Sequence, residues 1–280
     1  MKRLTLLLIA SIALIQTVSA GFPIGTGRWM LTPGYNFYVA KGYWGKNGGY
    51  NSYSNGSFGS HYFGLSGGYG LNRKWDFLFN IPIVVQIDNN TNSAVDKGNT
   101  YIAGGFGDAK LGLSYFLTDF DALNHVSLTG SLIIPLYTNR PSPYPVLGYQ
   151  SFGGELKLGF SGSATGGFRN PYYDIEAGVR QYFEYDGPTQ LFANITGGVP
   201  LDDYWKISGT LSGVNSLSTS SATAISAFNF TKSFEYIRAS FNLGRVINNN
   251  VSIWGGFYAD TWGINTARGS GASVSAVIKF

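Results

Sequence analysis

There is no cysteine among the 280 residues, which excludes a disulfide framework, a thiolate metal site and a cysteine nucleophile. Charge is scarce as well. Asp, Glu, Lys and Arg make up 12% of the chain, about half the share of an ordinary soluble domain. Such a chain is not a coiled coil, and with 16% aromatic residues it is not a disordered tail. Long apolar runs are also missing. After residue 20 no stretch reaches 18 consecutive apolar residues, so no transmembrane helix is expected. The mean hydropathy of +0.01 is too low for a bundle of membrane helices. His61 and His125 are the only histidines, and with no second ligand at metal spacing no metal site is expected.

What is present begins with a leader. Met1-Lys2-Arg3 precedes an apolar run from Leu4 to Leu14, and Val18-Ser19-Ala20 supplies a small-x-small exit. This is the pattern of a secretory signal peptide, and the run is shorter than the ~20 residues of a membrane anchor. Residues 1–20 are therefore expected to be removed, leaving 21–280 as one domain. The formal net charge is +4. Without Lys2 and Arg3 it falls to +2, with no basic cluster, so nucleic acid is not an expected partner.

The rest of the chain alternates. Trp75, Phe77, Phe79, Ile81, Ile83, Val85 and Ile87 share one face, against Asp76, Asn80, Gln86 and Asp88 on the other. Strand side chains point to opposite sides in turn, so one side of this strand is wholly apolar. The same split recurs, with Leu111, Leu132, Val179, Phe241 and Phe257 on apolar faces opposed by Ser, Thr, Asn and charged residues. Twelve strands are expected at 29–42, 58–71, 75–87, 104–117, 125–137, 150–163, 172–184, 189–200, 204–216, 230–244, 250–262 and 269–280. They average about 13 residues, against ~5–6 in soluble sheets. Connections after odd strands, such as 43–57, 88–103, 138–149 and 217–229, are mostly long; those after even strands are mostly short. Trp29, Tyr43, Trp44, Trp75, Tyr137, Tyr204, Trp205, Trp262 and Phe280 gather near strand ends, as at a membrane interface. Unpaired edge amides are not tolerated in lipid, so such a sheet must close. The expected fold is an all-β, transmembrane up-and-down antiparallel β-barrel of 12 strands in the outer membrane of a Gram-negative cell. A soluble β-sandwich would alternate too, but with shorter strands and more surface charge.

One block of strands carries a resemblance. Gly105-Phe106-Gly107-Asp108, followed by Gly112 and Tyr115, is similar to a G-x-G-D-x-x-x-G-x-x-Y strand of the MetA-pathway phenol-degradation family. Trp75-Asp76 with Pro82 resembles that family's preceding strand, and Leu132-Ile133-Ile134-Pro135 its following one. The match covers residues 58–137. It implies an outer-membrane channel linked to uptake of aromatic or other apolar compounds, and it brings no catalytic residues. The end of the chain, Val274, Ala276, Ile278 and Phe280, resembles the signal by which the barrel-assembly machinery grips a last strand.

The charges that alternation turns inward are the candidate site. Asp108, Lys110, Glu155, Lys157, Asp174, Glu176, Arg180, Arg238 and Asp260 are expected to line the lumen, with Asp76, Lys206 and Lys279 on the same side. Mixed signs favour a cross-linked interior over a single-sign selectivity ring. If residue 163 pairs with 172, Glu155 faces Arg180 and Lys157 lies near Glu176. Residues 21–28 are too short to form a plug domain but long enough to enter the barrel. His125, Ser127 and Asn139 faintly resemble the triad of outer-membrane phospholipases. A strand separates its members by about 35–40 Å, so no catalytic residues are assigned. The Gly-rich run 64–70 has no phosphate-loop Lys and opens no helix, so no nucleotide or other cofactor is expected. The expected function is passive passage of small, weakly polar or aromatic compounds, with membrane lipid, lipopolysaccharide and the solute as partners. The alternative is a non-transporting barrel that adheres or shapes the envelope through its loops.

Overall fold

Strands with one apolar and one polar face can bury either side, and this chain buries the polar one. The computed structural model describes residues 22–53, 56–90, 99–121, 123–141, 144–164, 169–218 and 232–280. The leader and parts of two long connections (91–98 and 219–231) lie outside them. Fourteen strands follow in order: β1 (Trp29–Trp44), β2 (Tyr50–Ser52), β3 (Ser57–Gly70), β4 (Trp75–Asn90), β5 (Asn99–Phe106), β6 (Asp108–Asp121), β7 (Asn124–Pro135), β8 (Gly153–Ser163), β9 (Tyr172–Tyr182), β10 (Thr189–Pro200), β11 (Trp205–Leu217), β12 (Phe234–Asn248), β13 (Val251–Ile264) and β14 (Thr266–Lys279). Successive walls pair antiparallel, and β14 closes on β1 through pairs such as Tyr35↔Val274 and Phe37↔Ala272. β5 and β6 are two halves of one wall, and β2 only folds back on the end of β1. The ring is a closed barrel of 12 walls.

Its surface is inside out relative to a soluble protein. Phe257 is 72% exposed and Leu132 61%, whereas Thr32, Ser114, Thr129, Ser161, Gln190, Thr210 and Asp260 are buried in the interior. An outward apolar band with an inward polar face is what a lipid-embedded barrel requires. Aromatic pairs mark one rim, where Trp29 packs on Tyr69 and Trp75 on Tyr115 with ring centroids 4.8 and 4.7 Å apart. At the same rim the Arg245 guanidinium lies 5.4 Å from the Trp205 ring. Two aromatic residues expected at the interface turn inward instead. Trp44 is buried inside the opposite mouth, where the Arg268 guanidinium lies 5.6 Å from its ring. Tyr137 reaches the lumen-facing Asp108.

The expected fourth strand, 104–117, is longer and broken. β4 pairs with β6 as far as Asn80↔Lys110 and with β5 from Ile83↔Phe106. Ile81 and Pro82 therefore face three residues, 107–109, and the extra residue makes a β-bulge. Pro82 has no N–H to offer, and its carbonyl accepts the Gly107 N–H at 2.9 Å. The bulge reverses the parity of the wall. Ile102 and Phe106 point outward in β5, whereas the even-numbered Asp108 and Lys110 line the lumen in β6. Another correction is at β12, which runs four residues beyond the expected end and turns tightly at Asn249 and Asn250. There Asn248 Oδ1 accepts the Asn250 and Val251 N–H groups at 2.8 and 2.9 Å.

Candidate functional site

The polar faces of the walls enclose two lumen cavities. One, of ≈ 340 Å³, lies against β9–β14, and the other, of ≈ 470 Å³, against β1, β3, β4 and β6. Lys110, Glu155 and Lys157 line both and stand between them. Ser163 does pair with Tyr172, so Glu155 sits directly opposite Arg180. Glu155 Oε2 accepts Lys110 Nζ at 2.7 Å and Arg180 Nε at 2.8 Å. Arg180 Nη1 continues to Gln190 Oε1 at 3.0 Å. Lys157 pairs with Glu176, and the Ser161 hydroxyl donates to Asp174 Oδ1 at 2.5 Å. On the far wall Arg238 Nε donates to Asp260 Oδ1 at 2.6 Å. Charges held in a partly desolvated interior need such partners, because a lone one would be costly.

Seven of the nine expected residues thus fall into three cross-braced groups, with Asp174 held by Ser161 and Asp108 at one edge. Asp108 lines the larger cavity and accepts the Tyr137 hydroxyl at 2.9 Å. Alternation had marked the lumen by its charges and so missed its rings. Tyr172, Phe192, Tyr236, Trp254 and Tyr258 all line the smaller cavity. Parity was the available signal, since Tyr172, Tyr236, Trp254 and Tyr258 each sit an even number of positions from a charged inward residue of their own strand, and Phe192 from the polar Gln190 and Asn194.

Both mouths are narrowed by chain outside the walls. The connection from β7 to β8 folds inward. Leu147 enters the larger cavity, and Tyr149 rests on Tyr182 at 4.5 Å and accepts Gln190 Nε2 at 3.2 Å. Asn139 holds this loop through Gly148 O and the Leu147 N–H, each at 2.9 Å. Burial, and then the Asp108 carboxylate, push the Tyr137 phenol well above its ordinary range, so it stays a donor. At the other mouth the segment before β1 crosses the opening. Ile24 N–H donates to Asp76 Oδ2 at 3.0 Å, Gly27 N–H donates to Gly70 O at 2.7 Å, and Phe22 meets the His125 ring edge-on at 5.6 Å. Asn139 is therefore committed at one end of β7 while His125 lies at the other, and they do not meet as a triad.

No protein-family model matches the chain, and neither does any curated protein. Solved structures do. Over 95% of this chain and all of the other, it superposes on the COG4313 outer membrane channel from Pseudomonas putida F1 with a TM-score of 0.71 at 13% identity. The NanC porin gives 0.51 at 9% identity over 90% of this chain and 100% of the other. The transport unit of the autotransporter AIDA-I from Escherichia coli also gives 0.51, at 8% identity over 95% and 92%. The fold is that of an outer-membrane barrel. At these identities the likeness establishes architecture, and the lumen of this chain has to be read from its own residues.

Proposed function

We propose that the barrel is an outer-membrane channel through which small, weakly polar or aromatic compounds pass by diffusion. The observation that carries this reading is the lumen itself. Two cavities, each lined by hydroxyls, amides, braced charges and aromatic faces, meet at Lys110, Glu155 and Lys157 inside a wall whose outer face is apolar. A solute with a ring and a modest polar group finds partners along this path without stripping a fixed single-sign ring of charge. The architecture shared with a channel and a porin supports the same reading. The resemblance of residues 58–137 to the phenol-degradation family suits it as well. Passage needs no catalysis, and the Gly-rich run 64–70 lies within β3, where it forms no nucleotide loop.

The rest of the biology follows as proposal. The leader at 1–20 directs export and is removed, the apolar band sits in outer-membrane lipid and lipopolysaccharide, and Phe280 is offered to the assembly machinery. Planar bilayers and solute-loaded liposomes test the channel. The purified barrel is expected to give discrete current steps and to release small aromatic solutes faster than sugars of similar mass. A folded protein that gives neither current nor flux overturns it and favours a barrel working through its loops.

A further inference from the structure

Arg238 is anchored through one nitrogen and uncommitted at the other two. Its Nε donates to Asp260 Oδ1 at 2.6 Å, and among the described residues Nη1 and Nη2 have no hydrogen-bond partner. Asp260 is itself fixed, because its second oxygen accepts the Tyr38 hydroxyl at 2.6 Å and the Gly269 N–H at 3.4 Å. Arg238 lines the smaller cavity and Asp260 does not. The cation therefore faces the open space, with its counter-carboxylate behind it. Three rings hold the guanidinium, with Tyr258 at 4.6 Å and Tyr38 and Tyr236 at 5.4 Å. Such contacts pin a planar cation that would otherwise swing on a flexible stem. On the same wall and face, two positions along, the Ser240 Oγ is buried and has no hydrogen-bond partner among the described residues. Phe192 and Tyr172 line the cavity around this point.

A planar fork with both outer nitrogens unused matches a carboxylate, whose two oxygens accept parallel N–H bonds. A doubly charged phosphate fits less well. The neighbouring cations Lys157 and Arg180 are already committed to Glu176 and Glu155, and Asp174 and Glu176 also face the cavity. The ring-lined wall suits a flat apolar body attached to that carboxylate.

Resting on the channel reading, we propose that Arg238 and Ser240, with the rings around them, form a transit site for small aromatic carboxylates. The solute carboxylate accepts N–H bonds from Nη1 and Nη2 and the Ser240 hydroxyl, and its ring lies among Phe192, Tyr172 and Tyr236. Asp260 is a positioning residue that fixes the fork. Occupancy is weak by design of the path, since a solute that binds tightly does not leave.

Ligand-observed NMR on the purified barrel in detergent micelles tests the site without needing current. Benzoate is expected to bind, with phenol and inorganic phosphate each at least about tenfold weaker, the discrimination expected from a charge-assisted pair. Arg238→Gln strips the fork and is expected to weaken benzoate about tenfold or more. Because that variant strands the Asp260 carboxylate, Arg238→Gln/Asp260→Asn removes both charges and keeps the test valid if the single variant fails to fold. Folding is read from the heat-dependent gel mobility of the barrel. Unchanged benzoate binding in the folded double variant overturns the site, and so does phosphate binding as tight as benzoate. Benzoate binding that depends on Arg238 in a barrel with neither current nor solute flux would leave the site standing and remove the channel reading. Current without benzoate binding would do the reverse.

Discussion

Glu155 on β8 and Arg180 on β9 face each other directly across the strand pair, and a single oxygen, Glu155 Oε2, receives both Arg180 and Lys110. One carboxylate thus holds two cations from walls on either side of it. Glu155→Gln leaves those cations close together with no counter-charge. It is expected to lower stability by about 2 kcal/mol, the scale of hydrogen bonds to charged groups in a partly wet interior. Urea unfolding of the barrel in lipid checks this. In the channel reading the same change shifts ion selectivity toward anions, measured as a reversal potential in a salt gradient.

The segment before β1 is poised on a glycine. The three atoms nearest a Cβ at Gly70 would all be backbone atoms of Gly25. Gly70→Ala is therefore expected to dislodge residues 24–27 from the mouth and leave the β3 ladder intact. Single-channel conductance should rise and thermal stability change little. Gly130→Ala, where the added carbon meets open space, is the control and should change neither.

The outer face predicts the opposite tolerance to that of a soluble protein. Phe257 points into lipid near the middle of β13. Phe257→Arg is expected to cost about 2–4 kcal/mol, the value for a cation near the bilayer midplane. Ser273→Arg, on the lumen side of the paired strand, should be far better tolerated. The comparison is read from folded yield and unfolding midpoints in the same vesicles.

Much of this was legible because a period of two is a strong constraint. Once Trp75–Asp88 had one wholly apolar face, the side of each wall followed, and the hairpin at 163/172 fixed Glu155 against Arg180 without any knowledge of the third dimension. The bulge at Gly107 was not legible, although Pro82 was in plain view, because a proline tells which N–H is missing and not which partner strand adds a residue. The Tyr137 position failed for a related reason. An aromatic residue near a strand end satisfies a membrane interface or an inward hydrogen bond equally well, and only the location of Asp108 across the fold decides. The extension of β12 past Gly244 escaped because strands continue on backbone pairing after hydrophobic alternation has stopped.

Phe280 lies beside the seam, where its carbonyl accepts the Trp29 N–H at 2.8 Å and its own N–H reaches Trp29 O at 3.1 Å. Phe280→Ser keeps those backbone bonds and removes only the ring. Assembled barrel in outer-membrane fractions is expected to fall several-fold. The refolding yield of purified protein in detergent, which needs no assembly machinery, should stay unchanged.

The Tyr38–Asp260 hydrogen bond joins residues 222 positions apart, so its two ends come together only when the last walls meet the first. Contacts at such separation bear the largest loop-closure cost and are the slowest to form. The Arg238–Asp260 pair forms within the β12–β13 hairpin, but Tyr38, which holds the second carboxylate oxygen and faces the guanidinium, arrives only with the final seam. Closure of the barrel thus adds the last ring to a fork that the hairpin has already aimed, and the stiffness of that cation becomes a mark of a finished wall.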